Sequence, residues 1–258
     1  AALPKVTMLM GVPTHYNRLS MEKSFSKKAT RNIRLLISGS APLSSKTHAE
    51  IKQKTSLSIL ERYGMTETNM ITSNPYHGKR KAGTVGIPLP DVHVRIRDAK
   101  THELVKHGSV GVIEVKGPNV FGGYWKMGQR NNLDFRDDGY FITGDLGFFD
   151  SFGYLNISGR NKDLIISGGL NVYPAEIERS VDDLKEVLEC AVIGLPHPDF
   201  GEGVTAIITL RNKNHPINKQ DMRKRLRNRL AGFKVPLEIK VRSDLPKNTM
   251  GKIQKNIL

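Results

Sequence analysis

A chain of 258 residues with 38% hydrophobic side chains is long enough to bury one large core and a second, smaller one. Its 40 Lys and Arg against 25 Asp and Glu give a formal charge of +15, which favours anionic ligands such as nucleotides, coenzyme A, nucleic acid or acidic lipid without choosing among them. No apolar run has the length of a membrane span, no signal-peptide pattern occurs, and the single Cys190 rules out an internal disulfide and a cysteine-rich zinc site, in keeping with a cytoplasmic protein.

Residues 1–60 alternate strand and helix signals. Val6–Met10 reads as a strand, Thr14 as the cap of a helix through Leu19, and Ile33–Ile37 as a second strand. Ser44 or Ser45 then caps a helix to about Lys54, and Leu57–Leu60 supplies a third strand. This alternation predicts a parallel sheet, whose ligands bind beyond the carboxyl ends of the strands. Two loops fall there, Ser38–Pro42 and Glu61–Thr68. In the second, Gly64 permits close backbone approach to a phosphate, Thr66 offers a hydroxyl donor, and Glu67 is a hard oxygen ligand suited to magnesium.

From Gly83 the pattern changes to short strands between Gly-rich turns. Val92, Val94 and Ile96 alternate with His93, Arg95 and Arg97, and Val112–Lys116 and Phe141–Thr143 continue in this style, which predicts a barrel-like or mixed-sheet subdomain. Asp145 follows a Thr-Gly turn that can present a carboxylate to two ribose hydroxyls, although such a turn also reads as a backbone cap. Gly159–Asp163 has the polar composition of a hinge between strands.

A smaller domain follows. Ile165–Gly169 reads as a strand ending in a Gly-Gly turn, and Pro174 opens a helix whose core face is Ile177, Val181, Leu184 and Leu188. Cys190–Leu195, Val204–Leu210 and Leu237–Val241 are strands, and Asn218 caps a helix with Met222, Leu226 and Leu230 on its apolar face. The opposite face carries Arg223, Lys224, Arg225, Arg227 and Arg229, which fits either a solvated surface or contact with phosphates. Near the end, Pro246, Asn248 and Gly251 forbid a regular helix and place Lys252 on a mobile loop.

Glu61–Met70 (ERYGMTETNM), Thr143–Asp163 (TGDLGFFDSFGYLNISGRNKD) and Pro246–Lys255 (PKNTMGKIQK) occur in an order that resembles the acyl-adenylate-forming, AMP-binding enzymes. The resemblance covers essentially the whole chain. It implies an α/β fold in which residues 1–160 form the later part of a large adenylating domain and residues 161–258 a small mobile domain, hinged near Lys162. It further implies that Ser40, Ala41 and Pro42 line a purine, that Tyr63 stacks on it, and that Gly64, Met65, Thr66, Asp145 and Arg160 hold the rest of ATP or AMP. Lys252 would bridge the acyl carboxylate and the α-phosphate and, with Thr66 and Glu67, form the catalytic set. The Gly168-Gly169 turn would line a channel for coenzyme A. The implied small-molecule substrates are a carboxylic acid, ATP and coenzyme A, with magnesium on Glu67.

Gly11–Thr14 and Leu60–Pro75 are most similar to the malonyl-CoA synthetases of that family, which implies malonate as the acid and Met70 as a limit on pocket length. A dicarboxylate needs a buried cation for its second carboxylate. No residue of the sequence stands out as that cation, and it is expected upstream. The family's phosphate loop ending in Pro-Lys-Gly also has no counterpart here, so the chain is read as a part that is inactive alone, with its true N-terminus before Ala1.

Other readings stay open: another acyl- or aryl-CoA ligase, a carrier-protein adenylating domain, a catalytically incomplete remnant, or a basic nucleic-acid-binding module. The last is not expected, because the basic helix has no interleaved aromatic residues. The sequence gives no indication of oligomeric state.

Overall fold

The computed structural model describes residues 5–212, 216–249 and 251–258. The main break between two compact units falls between Asn161 and Lys162. No described helix is long and apolar enough to cross a membrane.

The first unit opens with β1 (Met8–Gly11), α1 (Pro13–Met21), β2 (Leu35–Ser38), α2 (Ser45–Thr55) and β3 (Ile59–Met65). The three strands are parallel, and Gly11, Ser38 and Glu61 lie level across the sheet. Tyr16 and Ile51 from the helices pack with Leu36 and Ile59 from the strands. Tyr16 is fully buried, and its hydroxyl donates to the carbonyls of Leu9 (3.1 Å) and Ile37 (2.8 Å), so the polar end of the side chain is satisfied on the strands that its ring covers. The expected Thr14 cap is not used. The cap position lies two residues earlier, at Val12, and the helix opens with Pro13, whose fixed φ and missing N–H suit the first helical position.

β3 is longer than its apolar run suggested. Its parallel pairing with β2 ends at Glu61, and from Arg62 onward it pairs antiparallel with β4 (Asn69–Ser73), which in turn pairs with β5 (Ile87–Pro88). The stretch expected to be a loop is therefore mostly strand, and only Thr66–Thr68 turns. A polar sequence such as Arg-Tyr-Gly-Met stays extended here because a second strand satisfies its backbone groups.

The remaining strands of this unit, β6 (His93–Arg97), β7 (Gly111–Lys116), β8 (Phe141–Phe149) and β9 (Leu155–Arg160), form a four-stranded antiparallel meander, with α3 (Gly128–Asp134) between β7 and β8. Ile96, Ile113, Val115 and Leu155 pack with Ile71 of β4. Glu114, in β7, is fully buried, and its carboxylate accepts from Arg95 and Arg136, each through Nε at 2.7 Å. Removing either arginine would leave a buried charge short of its partners. Thr143-Gly144-Asp145 was expected to be a turn and lies inside β8. Between the pairs Glu114↔Ile142 and Val112↔Leu146 these three residues face one residue of β7, and Gly144 takes the resulting bulge at a φ of 72°.

A single 3₁₀ turn at Asn161–Asp163 spans the break into the second unit. That unit continues through β10 (Ile165–Ser167), β11 (Leu170–Val172), α4 (Pro174–Asp182), β12 (Val187–His197), β13 (Gly201–Leu210), α5 (Lys219–Arg227) and β14 (Glu238–Val241). The sheet runs β11-β10-β13-β12, with β14 parallel to β13. Ile177, Val181 and Leu184 join Met222, Leu226 and Leu230 in its core, but Leu188 belongs to β12 rather than to α4, which stops at Asp182. The Asn218 cap is present, its Oδ1 accepting from the Asp221 N–H at 3.0 Å. On the basic face, Arg225 pairs with Glu186 and Asp221, and Arg229 pairs with Asp183, so part of that charge is neutralised within the unit.

Asp182 sits at the end of α4 with its Oδ1 sealed from solvent and without a hydrogen-bond partner among the described residues. Burial, reinforced by Glu178 and Asp183, raises its carboxyl well above the usual range. Above about pH 4 the unfolded chain ionises this group freely while the folded chain must keep it protonated, so its contribution to stability falls as pH rises. Asp182→Asn is therefore expected to gain stability over the natural protein by a larger margin at pH 7 than at pH 4, as read from the thermal midpoints of both proteins at both values.

Candidate functional site

The candidate residues of the first unit gather at the carboxyl ends of β2 and β3. Ser40, Ala41 and Pro42 are exposed just after β2, and Ser40 holds a φ of 70°, a conformation that a residue with a Cβ adopts only at a cost. β3 then contributes Tyr63, Gly64 and Met65, with exposed Thr66 and half-buried Glu67 in the turn to β4.

Residues 119–124 strap this turn in place. The Phe121 N–H donates to the Glu67 carbonyl at 2.8 Å, and the Asn119 side-chain amide donates to the carbonyls of Thr68 (2.6 Å) and Met70 (3.0 Å). The Tyr124 hydroxyl donates to Glu67 Oε1 at 2.9 Å. Tyr124 is itself held by an edge-on contact with Phe121 and by the Arg130 guanidinium 4.5 Å from its ring centroid. Glu67 is thus an oriented carboxylate with one oxygen engaged by a phenol. Sequence reasoning missed Asn119 and Tyr124, because they lie some 50 residues from the turn they hold.

Within the chain, the close approach that Gly64 allows is to its own hairpin. A Cβ built there would lie 2.0 Å from the Asn69 carbonyl oxygen and 2.8 Å from the Met70 methyl, so this glycine serves the hairpin itself.

The structure brings Tyr63, Asp145 and Arg160 together. The Tyr63 hydroxyl donates to Asp145 Oδ2 at 2.6 Å, and Arg160 Nε stands 3.5 Å from Oδ1. Asp145 and Arg160 are direct cross-strand partners in β8 and β9, so the ion pair follows from register. The Asp145 N–H donates to Thr143 Oγ1 at 3.1 Å, which fixes the bulge that aims the carboxylate. Burial first, and then the Asp145 charge, push the Tyr63 phenol well above its usual range, so it remains a donor at any physiological pH.

In the second unit, exposed Lys162 lies in the 3₁₀ turn that spans the break. Gly168 and Gly169, at φ of 57° and 77°, form the two-residue turn between β10 and β11, where Ser167 faces Leu170. Both central residues need positive φ, as in a type I′ hairpin. Lys252 occupies a tighter structure than the open loop expected. Its backbone N–H donates to Asn248 Oδ1 at 2.9 Å, its carbonyl accepts from the Asn248 N–H at 2.9 Å, and Lys247 bridges to Ile253. Lys247 pairs with Glu189 (2.7 Å) and Lys255 with Glu178 (2.6 Å), while Leu245, Ile253 and Leu258 pack on Ala191 and Ile207. Among the described residues the Lys252 ammonium meets no carboxylate.

Two family models match this chain, that of the AMP-binding enzymes over residues 4–125 and that of the AMP-binding enzyme C-terminal domain over residues 176–252. The chain belongs to the AMP-binding enzyme family. The malonate–CoA ligase of Arabidopsis thaliana is 38% identical over 271 residues, covering 98% of this chain and 44% of that protein. A long-chain-fatty-acid–CoA ligase of Yersinia pestis is 35% identical over 253 residues, with the same 98% and 44% coverage. Among solved structures, ATP-bound MatB from Rhodopseudomonas palustris matches with a TM-score of 0.95 and 53% identity, over 99% of this chain and 51% of that one. The chain therefore spans about half the length of the relatives it matches. Its fold corresponds to the C-terminal part of the adenylating fold with the small domain that follows.

Gly64→Ala tests the hairpin. The added methyl group has no room beside the Asn69 carbonyl, and the backbone shift it forces is expected to cost about 1–3 kcal/mol of stability, measured by denaturant unfolding of the chain.

Proposed function

We propose that this chain supplies the nucleotide site and the mobile lysine of an AMP-forming ligase, which joins malonate to coenzyme A through a malonyl-adenylate. The observation that carries this reading is the convergence of Tyr63, Asp145 and Arg160 beside the Thr66-Glu67 turn. A phenol ring, a carboxylate with an arginine behind it and a hydroxyl-bearing turn are the groups that a purine, a ribose and a phosphate ask of a protein. The choice of malonate leans on the relatives named for that acid and on Met70 beside the turn.

In the proposed first step, a carboxylate oxygen of the acid attacks the α-phosphorus of ATP and the bond to pyrophosphate breaks. Two anions must meet, and the Lys252 ammonium offsets their repulsion and the charge that develops on the transferring phosphoryl oxygens. Thr66 donates to a phosphate oxygen. Asp145, steadied by Tyr63 and Arg160, accepts from the ribose hydroxyls, while Ser40, Ala41, Pro42 and the Tyr63 ring border the purine. Gly64 and Met65 complete the strand beneath it.

Glu67 fits a magnesium ion. Its Tyr124 bond engages Oε1 and leaves Oε2 available, and no cluster of three or more potential ligands occurs among the described residues, as suits a metal shared with phosphates rather than caged by protein. When bound, magnesium neutralises phosphate charge.

In the second step, the thiol of coenzyme A attacks the acyl carbonyl of the adenylate and AMP leaves. We assign Lys162 the backbone rotation between steps, which exchanges Lys252 for the Gly168-Gly169 turn. The Lys252 loop is suited to such an exchange, because paired lysines on both sides fix its base and the loop keeps its shape as it moves.

In the full-length product of the gene, Lys252→Ala is expected to lose at least about a hundredfold in acid-dependent exchange of pyrophosphate into ATP, yet to convert a supplied acyl-adenylate to its thioester. Lys162→Pro, which locks φ, is expected to do the reverse. Equal loss of both half-reactions in both variants would sink the alternation.

A further inference from the structure

Between β7 and β8 stands a helix that the hydrophobic core does not explain. α3 has seven residues, none of them buried, and Gly128, Asn131, Asn132 and Asp134 among them are poor helix formers. A helix this short is unstable in isolation. Its order comes from Phe135 just beyond it, whose ring stacks on Phe121 at 5.8 Å, and from two polar side chains that both go to Tyr124. The Asn131 carboxamide accepts from the Tyr124 N–H at 2.7 Å and donates to the Tyr124 carbonyl at 3.0 Å, so one side chain holds both backbone groups of that residue. The Arg130 guanidinium lies over the Tyr124 ring, and Asp134, one turn further on, meets its Nε at 3.2 Å. Gly123 makes the approach possible: its φ is 121°, and a Cβ there would lie 2.9 Å from the Asn131 carboxamide.

These contacts converge on one hydroxyl, the polar end of the Tyr124 side chain, which donates to Glu67 Oε1 at 2.9 Å. The turn that carries Glu67 does not need this bond for its backbone. Phe121 and Asn119 already hold the carbonyls of Glu67, Thr68 and Met70, and of the strap residues Tyr124 is the one that reaches the carboxylate itself. A carboxylate free to turn about its last bond offers a cation either oxygen and loses that freedom on binding. With Oε1 engaged, the freedom is already spent and Oε2 is the oxygen presented. Groups that orient a metal ligand through its second polar atom typically change metal affinity by about 10–100-fold.

We propose that Tyr124 is a positioning residue for the carboxylate of Glu67 and that α3 serves to hold Tyr124, so that the affinity of the site for magnesium depends on a helix outside it. The proposal rests on the ligase reading above. It gives a coreless helix a use: Asn131 fixes the backbone of Tyr124, Arg130 fixes the ring, and the hydroxyl passes that position to Glu67.

The test measures binding rather than turnover. Calorimetry gives the Kd of α,β-methylene-ATP, which cannot release pyrophosphate, for the full-length product in excess magnesium and again in EDTA. The natural protein is expected to bind the analogue at least about tenfold more tightly with magnesium, and Tyr124→Phe, which removes the hydroxyl and keeps the ring, to lose most of that gain. Its affinity in EDTA should match that of the natural protein, which also shows that the variant is folded. Asn131→Ala should lose part of the gain alone and nothing further in the Tyr124→Phe background, because it acts through the hydroxyl already removed. A Tyr124→Phe protein that keeps the full gain overturns the proposal, and so does one that loses affinity equally with and without metal, which would make Tyr124 a structural residue. Full gain in Asn131→Ala overturns the role of α3. Glu67→Gln separates this proposal from the reading beneath it: full gain in that variant would remove the metal from Glu67 and overturn both. A natural protein that does not bind the analogue overturns the ligase reading itself.

Discussion

The change of partner along β3 is the constraint on which the first unit depends. As far as Glu61 the strand is the third member of a parallel sheet, and from Arg62 it is one arm of an antiparallel hairpin. A strand that leaves its parallel neighbour would expose a row of backbone donors and acceptors, and β4 covers that edge. The result is a rigid extended run that projects past the end of the sheet with side chains on both faces. Tyr63 goes to one face and finds Asp145; Arg62 goes to the other and finds two methionines. The turn at its tip is held from outside by Asn119, Phe121 and Tyr124, so Thr66 and Glu67 stand in a braced turn rather than on a free loop.

Much of the fold was legible in the sequence because the signals were local. Apolar runs at Ile33–Ile37 and Val204–Leu210, the Asn218 cap and the alternation through Val92–Arg97 each need only a few residues to be recognised. What the sequence could not show depended on partners far along the chain. The extension of β3 through Tyr63-Gly64-Met65 needs β4, and the insertion of Thr143-Gly144-Asp145 in a strand needs β7 and β9 on either side. Both stretches have the composition of turns, and both become strand because neighbours satisfy their backbones. Of the candidate site, the motif residues were visible, but not the distant neighbours that hold them. Gly64 makes room for Asn69 within its own hairpin, and Tyr124 was hidden among residues of no evident pattern.

The second unit uses charge in a different way. Lys247 and Lys255 meet half-buried carboxylates on the strand and helix beneath the tail, and three apolar side chains close the same segment. Such pairs add modestly to stability when exposed and more when sheltered, but here their larger effect is on geometry. They fix the two ends of a short hairpin whose Asn248 side chain and backbone tie down Lys252 from within. The ammonium is then the one lysine head group of the hairpin left without a carboxylate among the described residues.

A net charge of +15 suggests a surface made to attract polyanions, yet the distribution of ion pairs argues for a narrower use. The basic helix gives Arg225 and Arg229 to neighbouring acids, and the meander gives Arg95, Arg97 and Arg136 to the single buried Glu114. Dense clusters of basic residues in this chain are thus partly consumed by its own carboxylates. Lys252 meets no acid among the described residues, whereas Arg80, equally without one, is spent on the backbone carbonyls of Ser58, Pro75 and Tyr76. A count of charges therefore says less about where an anion could be met than do the partners that each cation already has.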